Sequence, residues 1–236
     1  MSKKGILAIA VVVFILIIDQ WLKIWVKTHM EYGEEIKLFD SNWAMIHFVE
    51  NNGMAFGFSL GGDYGKLALS LFRIFAVVFL CVYIAKLVKL PNVSYGLVIS
   101  FSLILAGAIG NIIDSAFYGL IFTESPYHGG LAQMVKMGQG YGTFLHGKVV
   151  DMFYFPLMEG IIPSWVPIWG GEPYIFFRPV FNVADSAITT GVICILLFFR
   201  KFFNQSTNIK TSEESQPTPV ETNEEDNLII DEQNIN

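Results

Sequence analysis

The stretch Val93–Asp114, VSYGLVISFSLILAGAIGNIID, decides the architecture. It is apolar over about the 20 residues that a helix needs to cross a bilayer, yet it closes on an amide and a carboxylate. Gly107, Gly110, Asn111 and Asp114 are spaced i, i+3, i+4 and i+7 and so share one helical face. The glycines let another helix come close, and Asn111 and Asp114 offer donors and acceptors at that contact. Two readings stay open on the residues alone: chemistry, or polar glue between helices.

Three more segments have the same character, about residues 5–26, 67–88 and 185–203. Hydrophobic residues make up 53% of the chain and charged ones 15%, with mean hydropathy +0.50. Soluble domains carry roughly a quarter charged residues, so the solvent implied is lipid. The sequence predicts an all-α integral membrane protein with four transmembrane helices. Lys3 and Lys4 precede the first apolar run as in a signal peptide, but Asp19-Gln20-Trp21 continues it where a cleavage site would lie, so the helix is retained. Lys3, Lys4, Lys86, Lys89, Arg200 and Lys201 must share one side, which four spans allow with both termini cytoplasmic.

The connections 27–66 and 115–184 then lie outside as long outer loops. Trp43, Trp165 and Trp169 suit the headgroup level there, and Ile36–Phe58 reads as a small β-rich outer platform. The net charge of −6 is concentrated in residues 204–236, an acidic segment read as a disordered cytoplasmic tail appended to a membrane domain of residues 1–203. No basic patch suggests nucleic acid. Cys81 and Cys194 lie in apolar runs and read as buried small hydrophobes, not as a disulfide or a metal site.

Ionisable groups inside spans are costly and point to function. With the orientation above, Asp19, Asn111, Asp114, Asn182 and Asp185 from three helices all arrive in the outer half of the membrane. Asn182, Asp185, Ser186 and Thr189 form one face of the last helix. Asp19 and Lys23, at i and i+4, are set for an intrahelical ion pair, a structural role or a lipid-headgroup contact by Lys23. Asp151 is a lone carboxylate in the apolar run Val149–Phe153, where burial would raise its pKa. If it met Asp185, the two acids would share a proton and could activate water and protonate a carbonyl.

Five short elements, in order, carry a resemblance to a known family. Asp19–Lys23 resembles the D-x-x-x-K element of bacterial lipoprotein signal peptidases, and Asn51-Asn52-Gly53-Met54-Ala55-Phe56 resembles their N-x-G-x-A-F. Gly107–Asp114 is similar to G-A-x-G-N-x-x-D, Val149–Phe153 to V-V-D-F, and Phe181–Asp185 to F-N-x-A-D. The resemblance implies a membrane aspartic endopeptidase that removes the signal peptide from diacylglyceryl-modified prolipoproteins, cutting just before the lipidated cysteine at the outer face of the cytoplasmic membrane. It makes Asp151 and Asp185 the catalytic dyad and places Asn51, Asn111 and Asn182 around the active site, with Asp19, Lys23, Gly53 and Asp114 of the same motifs as candidate substrate-binding or supporting residues. It implies no metal or organic cofactor. The partners expected are lipid-modified prolipoproteins and membrane lipids, and the chain is read as a monomer.

Ser115 stands where the family has arginine, with Arg178 or Lys148 as candidate substitutes. The connections 116–146 and 154–180 are long for the family. The alternatives are an inactive homologue and a proton-coupled transporter. The latter would call for more spans or a repeated pair of broken helices. His29, His47, His128 and His146 lack the H-E-x-x-H spacing of a metalloprotease.

Overall fold

Helix α1, Lys3–His29, inverts the pattern of a soluble helix. Ile6, Ile9, Val13, Phe14, Ile17 and Trp21 face outward, while Asp19, Lys23 and Lys27 are fully buried. Apolar side chains outside and charges inside are what lipid as solvent requires. Ser2 caps the helix, its Oγ accepting from the Gly5 N–H at 3.1 Å. The computed structural model describes residues 2–39, 43–51, 62–156, 158–176, 179–200 and 202. Residues 1–197 form one compact unit and residues 198–236 a second; the spans and the polar seam belong to the first.

Helix α2, Gly62–Leu87, packs on α3, Tyr95–Ile113, and α3 packs on α1 as well. With α1 and the extension of α3 to Ile121, they are three helices long and apolar enough to cross a membrane. Lys4 Nζ donates to the Leu90 and Pro91 carbonyls at 3.1 and 3.0 Å, which puts the start of α1 beside the α2–α3 link. Helix α5, Val183–Phe198, is apolar but only 16 residues long. Cys81 is exposed on α2 and Cys194 is half-buried, both free, so the burial expected for them is absent at Cys81 and partial at Cys194, because these apolar helices turn part of their surface outward.

After Ile113 the helix widens into a π-helical turn, Asp114–Tyr118, and a final turn α4, Gly119–Ile121. Such widenings re-aim side chains and recur at functional sites. The close approach anticipated at the glycines is real: a Cβ on Gly107 would lie 2.1 Å from the Ala184 carbonyl oxygen of α5, and one on Gly110 2.7 Å from Asp19 Oδ2.

The β structure is more extensive than a platform over Ile36–Phe58. A four-stranded antiparallel sheet runs in the order β1 (Glu35–Lys37), β2 (Met45–Asn51), β3 (Val149–Tyr154), β6 (Val180–Phe181), and β4 (Met158–Ile161) pairs separately with β5 (Pro173–Phe176). Residues 40–42 and 52–58 of the expected platform lie outside the described residues. Strands β3 and β6 read in sequence as plain apolar runs because their partners are remote. In the register Val49↔Asp151 and Asn51↔Val149, side chains alternate between faces. Phe48, Val150 and Met152 point into a core with Val26, Met30, Tyr118 and Phe122, while Asn51 and Asp151 share the opposite face.

Candidate active site

Strand β3 delivers Asp151, which is almost completely buried, and the start of α5 delivers Asp185. Asn182 caps α5 and holds both acids. Its Nδ2 donates to Asp151 Oδ1 at 2.7 Å, and its Oδ1 accepts the Asp185 N–H at 2.9 Å. Asp185 Oδ2 accepts the Asn182 N–H in return at 3.4 Å, the reciprocal arrangement of a capping box with aspartate in the third position. Asn51 Nδ2 donates to Asp151 Oδ2, and Asn111 Nδ2 to Asp185 Oδ1 at 2.8 Å. Three asparagines from β2, α3 and the α5 cap thus hold two carboxylates.

Burial, and next the charge of Asp185, push the Asp151 carboxyl up to about 7. Desolvation disfavours its charged form and a neighbouring carboxylate adds to the effect. Asp151 is therefore suited to holding a proton near neutral pH beside a second acid, an arrangement that can move protons to and from a reacting carbonyl.

Beneath this pair lies a second buried cluster. Lys23 Nζ is 3.0 Å from Asp19 Oδ2, 2.9 Å from Asp114 Oδ2 and 3.0 Å from Asn111 Oδ1. Gln20 Nε2 donates to Asp114 Oδ1 at 2.9 Å and Asp19 Oδ2 at 3.1 Å, and the Tyr118 hydroxyl donates to Gln20 Oε1 at 3.2 Å. The two acids also reach backbone: Asp19 Oδ1 accepts the Ala184 N–H at 2.8 Å and Asp114 Oδ2 the Val150 N–H at 3.2 Å. Lys23 is fully buried, so the lipid-headgroup contact expected as one option does not occur. The desolvation of so many charges is met by pairing and hydrogen bonds.

One turn further along α1, Lys27 pairs with Glu50, donates to Ser125 Oγ at 3.0 Å and lies over the Phe122 and Tyr141 rings. Glu50 also faces Lys148 at 3.9 Å, and Lys148 pairs with Glu124 at 2.9 Å. This network ties the long connection after α4 to the strand that carries Asn51.

Asp19, Lys23, Asn51, Asn111, Asp114, Asn182, Asp151 and Asp185, all picked out from the sequence, come together here; Gly53 lies outside the described residues. Ser115 is buried and its hydroxyl donates to the Asn111 carbonyl of its own helix at 3.0 Å. Of the two candidate substitutes for the arginine, Lys148 is engaged by Glu124 and Glu50, and Arg178 lies outside the described residues. Sequence reasoning missed Gln20, Lys27, Glu50 and Arg73. Arg73, on α2, interacts electrostatically with Asp185, Asp114 and Asp151; the signal for it was a lone cation within an apolar span.

Residues 11–201 match the family model described as signal peptidase (SPase) II. The chain is 49% identical over 225 residues to the lipoprotein signal peptidase of Porphyromonas gingivalis, covering 92% of this chain and 96% of that one. It is 37% identical over 233 residues to that of Amoebophilus asiaticus, covering 98% and 92%. A solved bacterial membrane enzyme superposes with a TM-score of 0.50 at 24% identity, over 82% of this chain and 92% of that one, a likeness of fold.

Proposed function

The chain belongs to the signal peptidase II family, and from that premise we propose that it removes the signal peptide from diacylglyceryl-modified prolipoproteins, cutting before the lipidated cysteine with Asp151 and Asp185 as catalytic residues. The observation that carries the assignment is the pair of carboxylates held by Asn182, each braced by another asparagine.

Asp185, half-buried at the helix start, takes a proton from water as that water attacks the scissile carbonyl. Asp151, raised to about 7, gives its proton to the carbonyl oxygen, forming a tetrahedral diol. Collapse returns that proton to Asp151, while Asp185 passes its own to the leaving cysteine nitrogen. The dyad is then restored with one proton.

In this reading α1, α2, α3 and α5 are four spans with both termini cytoplasmic in the inner membrane, and the dyad opens to the outer face. The contact of Lys4 with the α2–α3 link favours one side for Lys3, Lys4, Lys86 and Lys89. The 16 residues of α5 rise about 24 Å, short of the ~30 Å hydrocarbon core. With the end of α5 at the cytoplasmic face, this reading puts Asp185 below the lipid surface, where a cysteine with two acyl chains would bring its peptide bond. Residues 1–203 are the monomeric membrane peptidase and the acidic tail follows as a cytoplasmic appendage.

The test follows loss of the signal peptide from a diacylglyceryl-modified prolipoprotein on a gel, with purified enzyme in liposomes. Asp151→Asn and Asp185→Asn should each abolish cleavage while the protein stays folded. Near-normal cleavage by either variant would overturn the dyad.

A further inference from the structure

The β4–β5 hairpin ends in a tip that nothing among the described residues covers. Trp165 is 80% exposed, Ile168 88% and Trp169 61%. Residues 160–171 contain no charged side chain, and the stretch from Phe155 to Phe177 contains no lysine or arginine, only Glu159 and Glu172. Ile168 has φ +75°, a left-handed conformation that is an outlier for a β-branched residue. Asparagine or glycine would relieve that strain, and so exposed a side chain gains no packing within the protein in return. A strained, exposed, apolar residue points to something outside the chain.

Part of the tip backbone is paired within the hairpin. The Ile162, Val166, Gly170, Gly171 and Glu172 N–H groups donate to carbonyls within the hairpin at 2.8–3.1 Å, and Pro163 and Pro167 have no N–H to satisfy. The remaining N–H groups suit the headgroup boundary, which still hydrogen-bonds, and not the hydrocarbon core. At the other end of the same ribbon of chain, Phe153, Phe155 and Phe181 cluster with Trp43 stacked on Phe155. Apolar rings thus mark both ends of the excursion from Asp151 to Asn182.

We propose that this hairpin is a membrane anchor whose tip, Trp165, Ile168 and Trp169, inserts into the headgroup–acyl boundary on the dyad's side of the bilayer. The lack of basic residues makes the insertion apolar and indifferent to lipid charge, and tryptophan indoles suit that depth. Because β3 leads into the hairpin and β6 leads out of it to Asn182, the anchor sets the height of the dyad against the lipid surface. The inference rests on the membrane placement given above.

The test uses the full chain with Cys81 and Cys194 replaced by alanine and an environment-sensitive fluorophore on Ile168→Cys, in phosphatidylcholine vesicles. We expect quenching by lipids carrying a nitroxide near the headgroup, shielding from aqueous iodide, and no change with salt or added anionic lipid. Iodide access without nitroxide quenching overturns the proposal. Shielding that appears only on adding prolipoprotein also overturns it, and makes the tip a protein-docking element. Independently, Ile168→Asn should leave the Tm in detergent unchanged or raised, and should lower cleavage of bilayer-embedded substrate severalfold while sparing cleavage in micelles. A lowered Tm would show that Ile168 packs internally and overturn the anchor. Loss of wild-type cleavage would count against the peptidase reading and leave the quenching result standing.

Discussion

Asp19 Oδ1 accepts the backbone N–H of Ala184 at 2.8 Å, the residue immediately before Asp185. Asp114 does the same for Val150, immediately before Asp151, at 3.2 Å. Lys23 lies between those two acids. A single buried triad therefore fixes the backbone beside each member of the dyad, without touching the dyad carboxylates in the bonds described. In the proposed reaction, positioning and chemistry fall to two different pairs of aspartates.

That division separates the expected consequences of substitution. Asp151→Asn and Asp185→Asn should lower kcat by at least about 10²-fold, the floor for positioned acid–base catalysis, with the Tm in detergent largely kept. Asp114→Asn leaves Lys23 undercompensated in the interior, and breaking a buried ion pair costs about 3–5 kcal/mol. Its main signature should be a lowered Tm, with residual cleavage per folded molecule above that of the dyad variants. Paired thermal unfolding and gel assays on the three proteins check the pattern.

The pH dependence follows from Asp151. Its folded value of about 7 lies above the ordinary 3.8, so the folded protein keeps a proton that the unfolded chain releases. The stability carried by that proton is complete below about pH 4 and is lost as pH rises to about 7, on the order of a few kcal/mol. Tm measured across that window should fall for wild type more steeply than for Asp151→Asn. Cleavage that needs the proton on Asp151 should decline above about pH 7.

Helix–helix distance is the next lever. A Cβ on Gly107 would lie 2.1 Å from the Ala184 carbonyl and 2.7 Å from Ile188 Cγ1, and a carbonyl oxygen on the backbone cannot swing aside. Gly107→Ala should push α3 from α5 and lengthen the 2.8 Å bond from Asn111 to Asp185. Overpacking of this kind costs about 1–3 kcal/mol, and the loss of activity should exceed what the change in Tm explains. Measuring both in the same detergent decides it.

Three long apolar helices, and the face of Gly107, Gly110, Asn111 and Asp114, were legible because lipid tolerates only apolar runs and makes each polar exception informative. Helix α1 runs on to His29, past the expected end near Val26, because Lys23 and Lys27 are buried against protein and do not mark an exit into water. Strands β3 and β6 were not legible as strands. Their pairing with β2 and with each other joins residues about a hundred and about thirty positions apart, and a continuous apolar run has no period to reveal it. Glu50 was hidden for the same reason: its partner Lys27 belongs to another element, and an acid beside a loop reads as solvated.

The Lys27–Glu50 pair gives the last test. Glu50 and Asn51 are neighbours on β2 whose side chains point to opposite faces, Glu50 to Lys27 and Asn51 to Asp151. Holding Glu50 therefore holds the strand in the register that presents Asn51 to the dyad. Glu50→Gln or Lys27→Met alone leaves a buried charge without its partner and should cost about 3–5 kcal/mol, whereas replacing both with apolar residues of similar volume should be close to neutral. If the pair also positions Asn51, the double variant should recover Tm but not kcat, because the strand loses its directional tether. Combining Glu50→Gln with Asn51→Ala should then lower kcat by less than the product of the single effects, since both act on one hydrogen bond to Asp151. Independent, multiplicative effects would confine the pair to stability.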